Sequence, residues 1–136
     1  MNKPNRVNLP HSCVYTRLRP SRVHKGGVGV FAIRPIKAGA NIFPDDNARM
    51  TKVLSSKLRG IPRLVKQLYD DFPVVKDGGR VLLCPRSFNL LTVAWYINES
   101  RTNPNVHCDP YYNFFASRDI KVGEELTADY STYNEF

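Results

Sequence analysis

A chain of 136 residues, 24% charged and 42% apolar, is long enough to bury the core of one domain and too short for two. No apolar run approaches the roughly 18 residues of a membrane span, and the polar, Pro-containing opening over residues 1–11 lacks the apolar stretch of a secretory signal. The expectation is an intracellular protein, cytoplasmic by default, with no membrane partner. The net charge of +8 belongs to one third of the chain. Lys3, Arg6, Arg17, Arg19, Arg22, Lys25, Arg34 and Lys37 precede the first acid, Asp45, after which basic and acidic residues balance. Such a segment suits anions through counterion release, which keeps nucleic acid open as a partner, although no nucleic-acid-binding motif accompanies it.

Residues 1–12, with Pro4 and Pro10 among polar residues, read as an N-terminal arm, and the domain runs over 13–136. Over 14–19, Val14, Thr16 and Leu18 alternate with Tyr15, Arg17 and Arg19, the period of a strand with one dry and one wet face. A Lys25-Gly26-Gly27 turn leads to a second strand over 28–33, and 41–43 reads as a short third. Pro44 and the Asp45-Asp46-Asn47 cluster stop it, and Asp46 or Asn47 is placed to cap a helix through Met50, Val53, Leu54 and Leu58. A second helical piece after Pro62 carries Leu64, Val65 and Leu68. Asp77-Gly78-Gly79 forms a hairpin-like turn before an apolar strand from Val81 to Cys84. Residues 88–96 are apolar without a clear period, 112–116 read as a strand, and 125–130 form a short closing element. The fold class is mainly β (α+β), of short sheets with a partly helical insertion over about 46–80.

The two halves of the chain contain one repeat. Phe31-Ala32-Ile33-Arg34-Pro35-Ile36-Lys37-Ala38-Gly39-Ala40-Asn41-Ile42 matches Phe115-Ala116-Ser117-Arg118-Asp119-Ile120-Lys121-Val122-Gly123-Glu124-Glu125-Leu126. Each copy reads as a strand, a turn that tucks its isoleucine inward and uses glycine for a backbone angle other residues resist, and a second strand.

Gly27-Val28-Gly29-Val30-Phe31-Ala32 fits the dinucleotide fingerprint Gly-x-Gly-x-x-Ala, but that fingerprint must open a helix. Pro35, Gly39 and the β-favouring Val30, Phe31 and Ile33 oppose one here, so a Rossmann unit is excluded. The three cysteines, Cys13, Cys84 and Cys108, are odd in number and lack zinc-ligand spacing, which implies free thiols and no metal. The polar run from Asn98 to Asn105 follows apolar Trp95-Tyr96-Ile97, so Asn98 is placed for its amide to fix the loop.

In combination these segments carry a resemblance. The Gly-Val-Gly-Val-Phe-Ala near the start, the Asn98-Glu99-Ser100 and Asn103-Pro104-Asn105-Val106 loop, and the Gly123-Glu124-Glu125-Leu126-x-x-Asp129-Tyr130 end resemble, in that order, the SET-domain family of protein-lysine methyltransferases. The likeness spans about residues 21–133, and the chain resembles the small bacterial and viral single-domain members. It implies a C-terminal knot-like crossing, S-adenosylmethionine as cofactor, and a protein substrate with a target lysine. By the same resemblance Val28 and Gly29 would present backbone to the cofactor, Asn98 and Glu99 would stand at the family's Asn-His cofactor-binding position, and Tyr130 would be the catalytic tyrosine. Tyr133 would form, with Tyr130, the wall of the substrate channel, and the insertion would help select substrate.

Two features depart from the family pattern. Glu99 stands where the family has His, and Arg101 is its nearest ion-pair candidate. Pro44-Asp45-Asp46 replaces the early aromatic-Gly-Glu element. A second reading therefore keeps the fold and drops the chemistry: a silent SET-fold module that binds peptide or anionic partners through its basic N-terminal third. A monomer and a homodimer both fit the sequence, and chromatin association stays open.

Overall fold

The computed structural model describes residues 13–46 and 49–136. The expected N-terminal arm and the Asn47 cap lie outside them. Among the described residues nine short strands form two sheets, with one α-helix beside them. The larger joins β1 (Thr16–Pro20), β2 (Val28–Ala32), β9 (Glu125–Ala128), β7 (Val106–Cys108) and β8 (Phe114–Ala116) in that order, and β6 (Asn98–Glu99) also pairs with β9. The smaller is antiparallel, with β5 (Val81–Pro85) between β3 (Met50–Leu54) and β4 (Val74–Lys76). Among the described residues no helix is long and apolar enough to cross a membrane.

The repeat forms the centre of the larger sheet. Its copies face each other about a local two-fold: Ile36 and Ile120 exchange backbone hydrogen bonds. Gly39 N–H donates to the Ala116 carbonyl and Gly123 N–H to that of Ala32, each at 2.8 Å. Asn41 bridges Phe115 just as Glu125 pairs with Phe31. Both glycines hold a positive φ, +85° and +89°, which is the conformation expected of them in the turns. Ile36, Ile42, Ile120 and Leu126, nearly or fully buried, pack with Val30, Ala32, Ile97 and Val106 into one core. β2 is a strand from its first residue, which rules out the helix a dinucleotide fingerprint needs. The third strand expected over 41–43 is only the isolated bridge at Asn41 and one hydrogen bond from Ile42 N–H to the Phe114 carbonyl.

Around β9 the chain doubles back. β6 and β7, joined by residues 100–105, both run parallel to β9 and flank it. Asn105, 1% exposed, fastens the arrangement: its Nδ2 donates to the Glu125 carbonyl at 2.9 Å and its Oδ1 accepts from Thr127 N–H at 2.8 Å.

The insertion corrects one expectation. The stretch expected to be a helix through Met50, Val53, Leu54 and Leu58 is strand β3, followed by a short 3₁₀ turn over Ser55–Leu58. Its β-branched Thr51 and Val53 fit a pleated surface, and β5 offers five residues of antiparallel partner, from Met50 against Pro85 to Leu54 against Val81. Asp46 does not cap there; its Oδ2 accepts the Thr92 hydroxyl at 2.8 Å. The second piece is helical as expected, α1 over Arg63–Asp71. β4 and β5 form the hairpin around Asp77-Gly78-Gly79, and the ambiguous 88–96 becomes two 3₁₀ turns, Phe88–Leu90 and Val93–Tyr96.

Candidate active site

Three strands meet at a polar hub. Ser21, just past β1, accepts the N–H groups of Val23 (3.1 Å) and His24 (2.8 Å) on its hydroxyl and donates to Glu125 Oε2 at 2.7 Å. The other Glu125 oxygen accepts Arg22 N–H at 2.7 Å. Asn98, opening β6, donates from Nδ2 to the Val28 carbonyl (2.9 Å), Ser21 Oγ (3.1 Å) and Glu125 Oε2 (3.2 Å). The amide expected to fix the loop that follows it instead ties β6 to β2, Ser21 and Glu125. Gly29 lies directly under this carboxylate, for a Cβ there would come within 2.3 Å of Glu125 Oε2. Val28 beside it is 43% exposed.

The second cluster surrounds Tyr130. β9 ends at Ala128, and Asp129 caps a 3₁₀ turn over Tyr130–Thr132 by accepting Ser131 N–H at 3.0 Å. Glu99, the neighbour of Ala128 in the β6–β9 register, accepts Tyr130 N–H on Oε2 at 3.2 Å. Arg101 Nε lies 3.2 Å from the same oxygen, so the expected ion pair forms. The Tyr130 hydroxyl donates to the Ile97 carbonyl at 2.5 Å. Burial, reinforced by the Glu99 charge, pushes its phenol up to about 12, so it is a hydroxyl at any physiological pH. Tyr133 packs edge-on at 5.9 Å between ring centres, and burial raises its phenol as well. Edge-to-face contacts continue from Tyr133 to Phe114 (6.0 Å) and from Phe114 to Phe43 (6.4 Å).

These rings line a cleft of about 220 Å³ between the two sheets, walled also by Trp95, Phe72 and Tyr111. Among the described residues Asp46, Asp70 and Asp71 are its charged lining residues, and no lysine or arginine lines it. The end of the chain joins the cleft to the smaller sheet. Glu135 N–H donates to the Val75 carbonyl and Val75 N–H to Asn134 Oδ1, both at 2.7 Å. Asn134 Nδ2 returns to the Tyr130 carbonyl at 2.8 Å, and Lys76 Nζ donates to that of Tyr133 at 2.9 Å.

A family model described as the SET domain matches residues 27–131. The chain belongs to the SET-domain family. It is similar in structure to the methyltransferase domain of human PR domain-containing protein 2, with 21% identity over 88% of this chain and 77% of that one and a TM-score of 0.55. It is also similar to CpSET8 from Cryptosporidium, at 18% identity, 89% and 59% coverage and a TM-score of 0.56. For a humanized mutant of Chaetomium thermophilum Polycomb Repressive Complex 2 the values are 19%, 90%, 16% and 0.59. At these identities the likeness is one of fold. No curated protein matches the sequence.

Within this SET domain, Asn98, Val28 and Gly29 converge on the hub, and Glu99, Tyr130 and Tyr133 on the second cluster, with the two-residue strand β6 carrying one member of each. Ser21 and Glu125 are the hub residues the sequence did not single out for a role. Glu125 stands in the Gly-Glu-Glu-Leu motif, where its carboxylate gave no sign of reaching Asn98. Ser21 carried no signal, because its part depends on a turn that brings it back to β9. Cys13, Cys84 and Cys108 are free thiols, and burial pushes Cys84 and Cys108 up to about 11.

Proposed function

We propose that the protein transfers a methyl group from S-adenosylmethionine to the side-chain amine of a lysine in a protein substrate. The cleft carries this reading: among the described residues that line it are aromatic rings and three aspartates and no lysine or arginine, in a protein of net charge +8. A cationic side chain suits such a cleft, since each ring face is worth about 0.5–2 kcal/mol to a desolvated cation and the lining carboxylates attract it.

The chemistry of the donor set fits the cofactor. The Ile97 carbonyl, the Tyr130 hydroxyl and the Glu99 carboxylate form an oxygen-rich group beside the hub, suited to a cation, and Arg101 is held by Glu99. Val28 and Gly29, through their backbone, Asn98, through its amide oxygen, and Glu99 would hold S-adenosylmethionine. When bound it supplies a methyl group on a cationic sulfonium, open to in-line attack by a neutral amine. Tyr130 and Tyr133 hold the amine in line and exclude water; positioning of this kind supplies up to about 7–11 kcal/mol of a barrier. The Tyr130 phenol, pushed up to about 12, orients by hydrogen bonding and takes no proton. The amine's proton leaves to water at the cleft mouth.

Isothermal titration with S-adenosylmethionine, run beside Asn98→Ala, tests the cofactor half of this reading. Saturable heat that the variant loses supports it. No heat at millimolar cofactor, from protein shown to be folded, contradicts it and returns the weight to a silent module acting through the basic N-terminal third.

A further inference from the structure

We infer that Glu99 is the positioning residue for Tyr130: its carboxylate holds the backbone that carries the phenol and so keeps the hydroxyl on the Ile97 carbonyl. The inference rests on the proposed transfer reaction. A helical turn leaves its first N–H groups without partners inside the turn. In Tyr130–Thr132 two carboxylates supply them: Asp129 takes Ser131 N–H from next door, and Glu99 takes Tyr130 N–H from 31 residues upstream. The long-range cap is possible because β6 runs parallel to β9 in the register Glu99 against Ala128, which brings the Glu99 side chain to where β9 ends. Arg101 Nε, on the same Oε2, limits where that carboxylate can swing.

The two ends of Tyr130 are therefore fixed by two residues of one three-residue segment. Ile97 holds the hydroxyl at 2.5 Å through its carbonyl, and Glu99 holds the backbone N–H at 3.2 Å. A phenol gripped at both ends by 97–99 keeps its angle to anything bound between the hub and the cleft. The carboxylate that departs from the family pattern is thus built into the tyrosine's support. Glu99→Gln is the informative substitution, because its amide oxygen still accepts Tyr130 N–H while the charge is gone.

The test compares wild type with Glu99→Ala and Glu99→Gln in two readouts. One is steady-state transfer to a lysine-containing peptide. The other is the NMR resonance and titration of Tyr130 in protein labelled at tyrosine ¹³Cζ, assigned with Tyr130→Phe. Glu99→Ala is expected to lower kcat at least tenfold with the peptide KM within about twofold, and Glu99→Gln to recover to within about threefold of wild type. At neutral pH the Tyr130 resonance should move in Glu99→Ala and stay close to wild type in Glu99→Gln, while its titration falls below the wild-type position near pH 12 in both, because both remove the Glu99 charge. Wild-type kcat and an unmoved resonance in Glu99→Ala would overturn the inference, as would loss of kcat in both variants with the resonance unmoved. If the wild type transfers no methyl, that failure belongs to the transferase reading, and the Tyr130 resonance alone decides the role of Glu99.

Discussion

The backbones of Ile36 and Ile120 bond to each other in both directions, N–H to carbonyl at 2.9 and 2.8 Å, from equivalent places in the two copies of the repeat. Both isoleucines are 1% exposed and belong to the same core cluster. Ile36→Ala and Ile120→Ala are each expected to lower unfolding free energy by about 2–5 kcal/mol. The double variant should depart from the sum of the two, since paired residues couple. Chemical denaturation of the three variants measures both effects, and strict additivity would count against the pairing.

Gly29 is glycine because a carboxylate rests on it. In Gly29→Ala the new methyl would meet Glu125 Oε2, which is held by Ser21 and Asn98, so the hub itself must shift. Overpacking of this kind costs about 1–3 kcal/mol, and S-adenosylmethionine affinity should fall at least tenfold by titration. Gly27→Ala meets the ring of exposed His24, which is able to swing away, and the expected loss is several-fold smaller.

The raised phenol of Tyr130 fixes the sign of two pH effects. Folding favours its protonated form, so its contribution to stability is whole below pH 10 and is lost as pH rises from 10 through about 12. Wild-type stability should therefore fall more steeply over that window than that of Tyr130→Phe, by up to about 1.4 kcal/mol per pH unit. Activity should rise with pH as the substrate amine, ordinarily near 10.4, loses its proton. No second limb from Tyr130 should appear below pH 11 in the log kcat/KM profile.

Helix α1 carries its charges against its own dipole, with Arg63 in the first turn and Asp70 and Asp71 in the last. Both acids line the cleft, and Asp70 also pairs with Lys66 at 2.5 Å. Replacing both with asparagine should leave folding intact or slightly improved in thermal melts. The same change should raise KM severalfold for a peptide whose target lysine has arginine neighbours, with kcat little changed.

The parts of the fold written locally were legible in the sequence. The repeat gave both glycine turns and both buried isoleucines, and Leu64, Val65 and Leu68 after Pro62 gave α1; the alternation at 14–19 marked β1 as a strand but not its dry face, since only Thr16 is buried and Val14 and Leu18 are exposed. Met50 to Leu54 misled because its spacing also fits a helix, and the competing choice depends on β5, about thirty residues downstream. At the site, the Glu99–Arg101 pair was readable from neighbours in sequence. The grip of Glu99 on Tyr130 and the reach of Ser21 and Glu125 to Asn98 were not, because strand pairing alone brings them together.

The central claim is methyl transfer at Tyr130, and it is tested most directly by incubating the protein with methyl-labelled S-adenosylmethionine and a lysine-containing peptide library, then locating the label by mass spectrometry. Label on lysine side chains, reduced at least a hundredfold in Tyr130→Phe while cofactor binding persists, is the expected result. Cofactor-saturated, folded wild type that labels no lysine, or Tyr130→Phe that labels as well as wild type, would contradict it.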